Sequence, residues 1–119
     1  MITLPIATKA NEEVVDITER IQVALQQNVL TNGLLVLFLP HTTAALTTAE
    51  LKPGMDQELL AAFRAIVPKQ IMSVVIDPTL TIPVQDGRLM LGTEQRVVLV
   101  EFAGPQERKV SLSFVQSTI

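Results

Sequence analysis

The sequence predicts an α+β fold: a largely antiparallel β-sandwich with two or three helices, in one domain spanning residues 1–119. Three observations lead there. Helix-period patterns fall early, whereas short apolar runs separated by turn residues crowd the later part of the chain. Two of those runs, residues 34–39 and 97–102, are near-continuously apolar, as strands in a core are. The chain has 119 residues, 48% of them hydrophobic and 18% charged, which suits one ordinary globular domain with a core of its own.

The elements come in order. Ile2, Leu4 and Ile6 alternate with Thr3 and Pro5, which predicts an edge strand, because proline cannot donate to a ladder. Val14 and Val15 give a short second strand. Ile17, Ile21, Ala24 and Leu25 recur at helical spacing, with Thr18 as N-cap and an end near Asn28. Asn32 and Gly33 make a turn. Residues 34–39 then read as a strand covered on both faces and ended by Pro40. Residues 42–48, rich in Thr and Ala, continue as a strand. Lys52, Pro53 and Gly54 break the chain. Asp56 caps a helix whose buried face is Leu59, Leu60, Phe63, Ile66 and Val67, and Pro68 closes it.

Residues 71–76 stay open between two readings. Their β-branched side chains favour a strand, yet Ile71 and Val75 also sit at helical spacing. Asp77 and Pro78 make a turn. Leu80, Ile82 and Val84 alternate with Thr81 and Pro83, another edge-like strand. Asp86 and Gly87 predict a tight hairpin, with residues 88–91 returning and Gly92 as a bulge or kink. Residues 97–102 form a long strand and 103–107 a turn. Val110, Leu112 and Phe114 then alternate with Ser111 and Ser113 in a last, half-exposed strand.

Composition narrows function by exclusion. The four aromatics are all Phe, with no Trp or Tyr, which is poor for stacking on single-stranded nucleic acid or sugar. Lys and Arg number 9 against 12 Asp and Glu, a net charge of −3, so no phosphate backbone is expected as partner. There is no Cys and one His, which rules out disulfides, thiolate nucleophiles and a His-rich metal site built from one chain. Residues 34–39 are too short an apolar run to span a bilayer, so no membrane partner is expected. The first residues lack the basic start and long apolar run of a signal peptide, and the expected location is the cytoplasm.

Three stretches carry a resemblance. The first is Pro40-His41-Thr42-Thr43-Ala44-Ala45-Leu46-Thr47, closed by Glu50. The second is Leu80-Thr81-Ile82-Pro83-Val84-Gln85-Asp86-Gly87-Arg88-Leu89, running on into Leu91-Gly92-Thr93-Glu94-Gln95. The third is Val100-Glu101-Phe102-Ala103-Gly104-Pro105. In order and spacing they resemble the YjbQ family, the secondary thiamine-phosphate synthase-like proteins, over nearly the whole chain. The resemblance implies an α+β fold with a β-sandwich, a homotrimer, and a weak thiamine-phosphate-synthase activity seen in some members. The chain departs from the family pattern at several polar positions. Two further family histidines are missing from a shortened segment, where Gln70 stands at the place of the last one. Glu94 replaces a Trp, Ala103 an acidic residue and Gln106 an Arg.

The candidate site residues are His41 and Glu50 as catalytic groups and Thr42, Thr43, Arg88 and Gln95 as substrate-binding groups, with no metal ligand set. His41 follows a buried strand, where ligands meet a scaffold, and suits a general base. Glu50 would fix its tautomer. The threonine hydroxyls would orient a phosphate. Arg88, or Arg96, would clamp an anion, and Gln95 would supply an amide. The plainer alternatives are a structural histidine, ordinary strand threonines, and solvated Glu and Arg side chains. A small phosphorylated or pyrophosphorylated metabolite is the expected ligand, with Mg²⁺ bridging its oxygens. The competing reading is a non-catalytic binding or regulatory oligomer that kept the scaffold and lost the histidine site.

Overall fold

The computed structural model describes residues 1–66, 68, 76 and 78–118. Among them are eight strands and two helices: β1 (Ile2–Ala7), β2 (Glu13–Asp16), α1 (Thr18–Gln27), β3 (Gly33–Phe38), β4 (Ala44–Glu50), α2 (Met55–Ile66), β5 (Thr79–Gln85), β6 (Arg88–Leu89), β7 (Gln95–Glu101) and β8 (Glu107–Gln116). The strands form a five-stranded sheet, β1-β8-β3-β5-β6, and a three-stranded sheet, β2-β7-β4. All paired neighbours are antiparallel. The sheets curl into a half-barrel. This is the α+β architecture that the sequence predicts.

The alternation of side chains builds the core. Ile6, Leu35, Leu37, Ile82, Val84, Val110 and Leu112 point inward from the larger sheet. Leu46, Val97 and Leu99 meet them from the smaller one, and Ile17, Ile21 and Leu25 of α1 complete the cluster. α2 lies against the other face of the small sheet, where Leu60 packs among Ala45, Val98, Val100 and Phe102. The Phe63 and Phe102 rings meet edge to face, 6.2 Å apart.

Pro5 lies on the outermost strand of the larger sheet, in register with Lys109, where a missing N–H does no harm. Asp86 and Gly87 both have positive φ, 52° and 77°, and turn β5 tightly into β6. Gly92 stands in the β6–β7 loop, its N–H donated to Gln95 Oε1.

Several expectations need correction. Thr18 is the first helical residue, and the cap position is Ile17. The Thr18 N–H and hydroxyl both donate to Asp16 Oδ1, at 3.0 and 2.7 Å, so the capping carboxylate comes from the end of β2. The Thr18 hydroxyl also receives Val97 N–H at 2.8 Å and so ties α1 to β7. Asp56 lies within the first turn of α2, which starts at Met55, and Ile66 at its end is exposed and not part of the buried face. Residues 34–39 are covered on one face only. Leu35, Leu37 and Leu39 are fully buried, but Leu34 and Phe38 are each 43% exposed, since no described element packs on the outer face of the larger sheet. Val67, Gln70 and residues 71–75 lie outside the described residues, while Ile76 packs against the α2 cluster.

Candidate functional site

Five chain segments converge at one end of the sandwich. Ala44 at the start of β4 pairs with Glu101 at the end of β7. Ala7 at the end of β1 pairs with Glu107 at the start of β8. Thr8 follows β1, and Leu39, Pro40 and His41 carry the chain from β3 toward β4. Gly104 is required there: a Cβ would stand 2.2 Å from the Ala10 carbonyl oxygen and 2.8 Å from the Thr8 hydroxyl.

A buried ion pair holds this junction. Glu101 is fully buried and Arg108 is 2% exposed. Arg108 Nε donates to Glu101 Oε1 at 2.9 Å, and Nη2 donates to Oε2. The Thr8 hydroxyl donates to Oε1 at 2.7 Å, and the N–H groups of Phe102 and Ala103 donate to Oε2 at 3.1 and 3.2 Å. Arg108 Nη2 also donates to the Thr43 hydroxyl at 2.9 Å. Burial pushes the Glu101 carboxyl up, but the bonds from Arg108, Thr8 and Ala103 outweigh it and hold it below the usual range. Among the described residues no buried side-chain nitrogen or oxygen lacks a partner. Removing either charge would strand the other.

His41 sits at the rim of this junction, half-buried. Its Nε2 accepts the Lys109 N–H at 3.3 Å. Burial first, then the positive charges of Arg108 and Lys109, lower its pKa from the ordinary 6.5, with Glu101 opposing. Thr43 is tied in twice, by its hydroxyl to Arg108 and by its carbonyl to Phe102 N–H at 3.0 Å. Thr42 is exposed in the same loop.

The other predicted residues gather at the opposite end. Glu50 closes β4, in register with Gln95 at the start of β7. β7 has seven residues, so this end lies about 20 Å from Glu101. Glu50 pairs with Lys52 at 2.9 Å, and within one chain it does not reach His41. Gln95 accepts Gly92 N–H at 2.7 Å. It lines a polar groove of about 310 Å³ with Arg88, Gln22, Gln26, Thr93 and Arg96. Arg96 is held there by Asp16 at 2.8 Å and Glu19 at 3.1 Å.

Sequence reasoning passed over Glu101 and Arg108. Among the described residues no group of three or more His, Asp or Glu could hold a metal ion. Both Glu101 oxygens are occupied, so this chain alone does not fit a Mg²⁺ site at His41.

Comparison with known proteins agrees with this architecture. The family model for UPF0047 protein YjbQ-like sequences matches residues 2–117. The chain belongs to the YjbQ family. YugU of Bacillus subtilis, also a UPF0047 protein, is 31% identical over 121 residues, covering 89% of this chain and 92% of that one. The UPF0047 protein MJ1081 of Methanocaldococcus jannaschii is 30% identical, covering 92% and 90%. The crystal structure of a hypothetical protein from Aeropyrum pernix K1 superposes with a TM-score of 0.89 at 31% identity, covering 97% of each chain. A YjbQ-family protein from Clostridium acetobutylicum, described as uncharacterized, gives a TM-score of 0.89 at 26% identity, covering 97% and 100%. The function of the YjbQ family is unknown. Among the described residues, no helix is long and apolar enough to cross a membrane.

Proposed function

We propose that this chain is a cytoplasmic homotrimer that binds a small phosphorylated metabolite at the His41 end, with weak thiamine-phosphate-synthase-like turnover as the catalytic form of that reading. The observation that carries it is the cluster of donors at one junction. His41 and the Thr43 hydroxyl stand beside an anchored ion pair whose own charges cancel, Thr42 is exposed in the same loop, and the positive charge of Lys109 acts on His41. Such a rim suits phosphate oxygens.

The trimer is supported by the outer face of the larger sheet. Leu34 and Phe38 of β3 are exposed there, and their cross-strand neighbours are Val115, Pro83, Ser111 and Thr79, none of them charged. An apolar, uncharged face on a small chain suits a partner copy.

One observation favours the non-catalytic alternative. The carboxylate nearest His41 is locked by Arg108, Thr8 and two backbone N–H groups, so it cannot accept a proton in turnover. Calorimetric titration with thiamine phosphate and with inorganic phosphate, on the wild type and His41→Ala, tests the binding. Saturable binding lost in His41→Ala supports the reading, and binding equal in both proteins sinks it. A synthase assay on the same samples separates the catalytic form from the binding form.

A further inference from the structure

Strand β8 begins before its partner β3 ends, and the leftover backbone decides the state of the only histidine. The last register pair between the two strands is Phe38 with Ser111, so Lys109 lies beyond β3. On its other side Lys109 faces Pro5 of β1. The Lys109 N–H points away from β1, toward the place a longer β3 would fill. The His41 ring fills it. A turn closed by His41 N–H to the Leu39 carbonyl, at 2.9 Å, brings the ring there, and Nε2 accepts the Lys109 N–H.

An imidazole nitrogen that accepts a hydrogen bond carries no proton, so in the neutral ring the proton is on Nδ1. The charged groups facing the ring agree. Arg108 and Lys109 come from β8, and Glu101 comes from β7. Two cations against one carboxylate disfavour an imidazolium. Glu101 and Arg108 act here as positioning residues: they anchor the residue next to Lys109 and so aim its N–H.

We propose that His41 stands as the neutral Nδ1–H tautomer and offers this site a hydrogen-bond donor, not a base. The ligand atom that meets it is then an acceptor such as a phosphate or carbonyl oxygen. Only this last step rests on the ligand reading above; the tautomer does not.

The chain has a single histidine, so ¹⁵N–¹H long-range correlation spectra of the labelled wild type show one imidazole. The expected pattern at pH 7.5 is the Nδ1–H tautomer. A dominant Nε2–H tautomer overturns the proposal. Lys109→Ala removes the charge but keeps the N–H, and it should retain the wild-type pattern. Lys109→Pro removes the N–H and should lose it, giving the tautomer mixture of an unconstrained ring. Should Lys109→Pro fail to fold, the wild type and Lys109→Ala still decide, because a pattern lost in Lys109→Ala also overturns the assignment. Inorganic phosphate titrated into the wild type should move the Nδ1 resonance and leave Nε2 in place. Movement of Nε2 alone overturns the donor role. An Nδ1–H ring that ignores phosphate upholds the tautomer and removes the phosphate reading instead.

Discussion

β3 and β7 carry the longest uninterrupted apolar runs of the described strands, Leu34 to Phe38 and Val97 to Val100, and they are treated differently. In β7 every residue from Val97 to Val100 is fully buried, as Phe102 just beyond it nearly is. Val97 and Leu99 face the sandwich core, and Val98 and Val100 face α2. In β3 only alternate residues are buried, and Leu34 and Phe38 face outward with no described element over them. A solvated antiparallel face normally carries polar residues at its outward positions. That β3 keeps Leu and Phe there separates two reasons for an apolar run. One is coverage by the chain's own helix. The other, on our proposal, is coverage by another copy.

The largest effects should come from β7. Val98→Asp places a charge between the sheet and α2 and should abolish folding, seen as loss of the cooperative thermal transition. Leu99→Ala should cost about 2–5 kcal/mol in urea denaturation. Leu34→Ala in dilute protein should cost less than about 1 kcal/mol, since its side chain keeps much of its contact with water. Equal losses for the two leucines would break the comparison.

The buried end of β7 should come next. Glu101→Gln or Arg108→Met should each cost about 3–5 kcal/mol, because each leaves a buried partner unpaired. The double variant should cost less than the sum of the two. Additive losses would mean the pair is not a unit.

Much of this pair was legible. Glu101 interrupts the run Val97, Val98, Leu99, Val100, Phe102, and a carboxylate there must be paired. The inward alternation of Leu112 and Val110, carried one step back, lands on Arg108. What no local pattern shows is which strand ends meet. Thr8 and Glu101 are 93 positions apart, and Thr43 and Arg108 are 65 apart. The same limit explains the divided site residues. Glu50 is close to His41 in the chain but at the far end of β4, while Gln95 and Arg88 share a groove that their spacing alone does not reveal. The strands, the hairpin at Asp86 and the helix periods were readable because they depend on neighbours in sequence. The uncovered face of β3 was not, because an apolar run records burial without naming what covers it.

The face of β3 gives the third test. Leu34→Asp should leave the far-ultraviolet circular dichroism and the folded chain intact, and should reduce the light-scattering mass from three chains to one. A wild-type protein that is already a single chain at micromolar concentration would refute the trimer and leave the outer face of β3 without a reason.

The smallest effect compares the titrating groups at the ends of the two strands. Glu101 ends β7 and His41 stands beyond β3, and both have folded-state pKa values below their ordinary 4.5 and 6.5. The sign is the same for both. A lowered pKa means that the unfolded chain binds the proton more readily, so the stabilisation is complete above the ordinary value and is lost as pH falls through the folded one. His41 is half-buried and partly screened by water, so its share is small. Stability should therefore fall slightly as pH drops below 6.5, then more steeply below 4.5, where carboxylates including Glu101 titrate. Thermal melts at closely spaced pH values should show the first, shallow decline in the wild type and lose it in His41→Asn. The steeper acid decline should remain in that variant. A first decline that persists without His41 would assign it to another group and would remove the evidence that β3 delivers its histidine to a cationic rim.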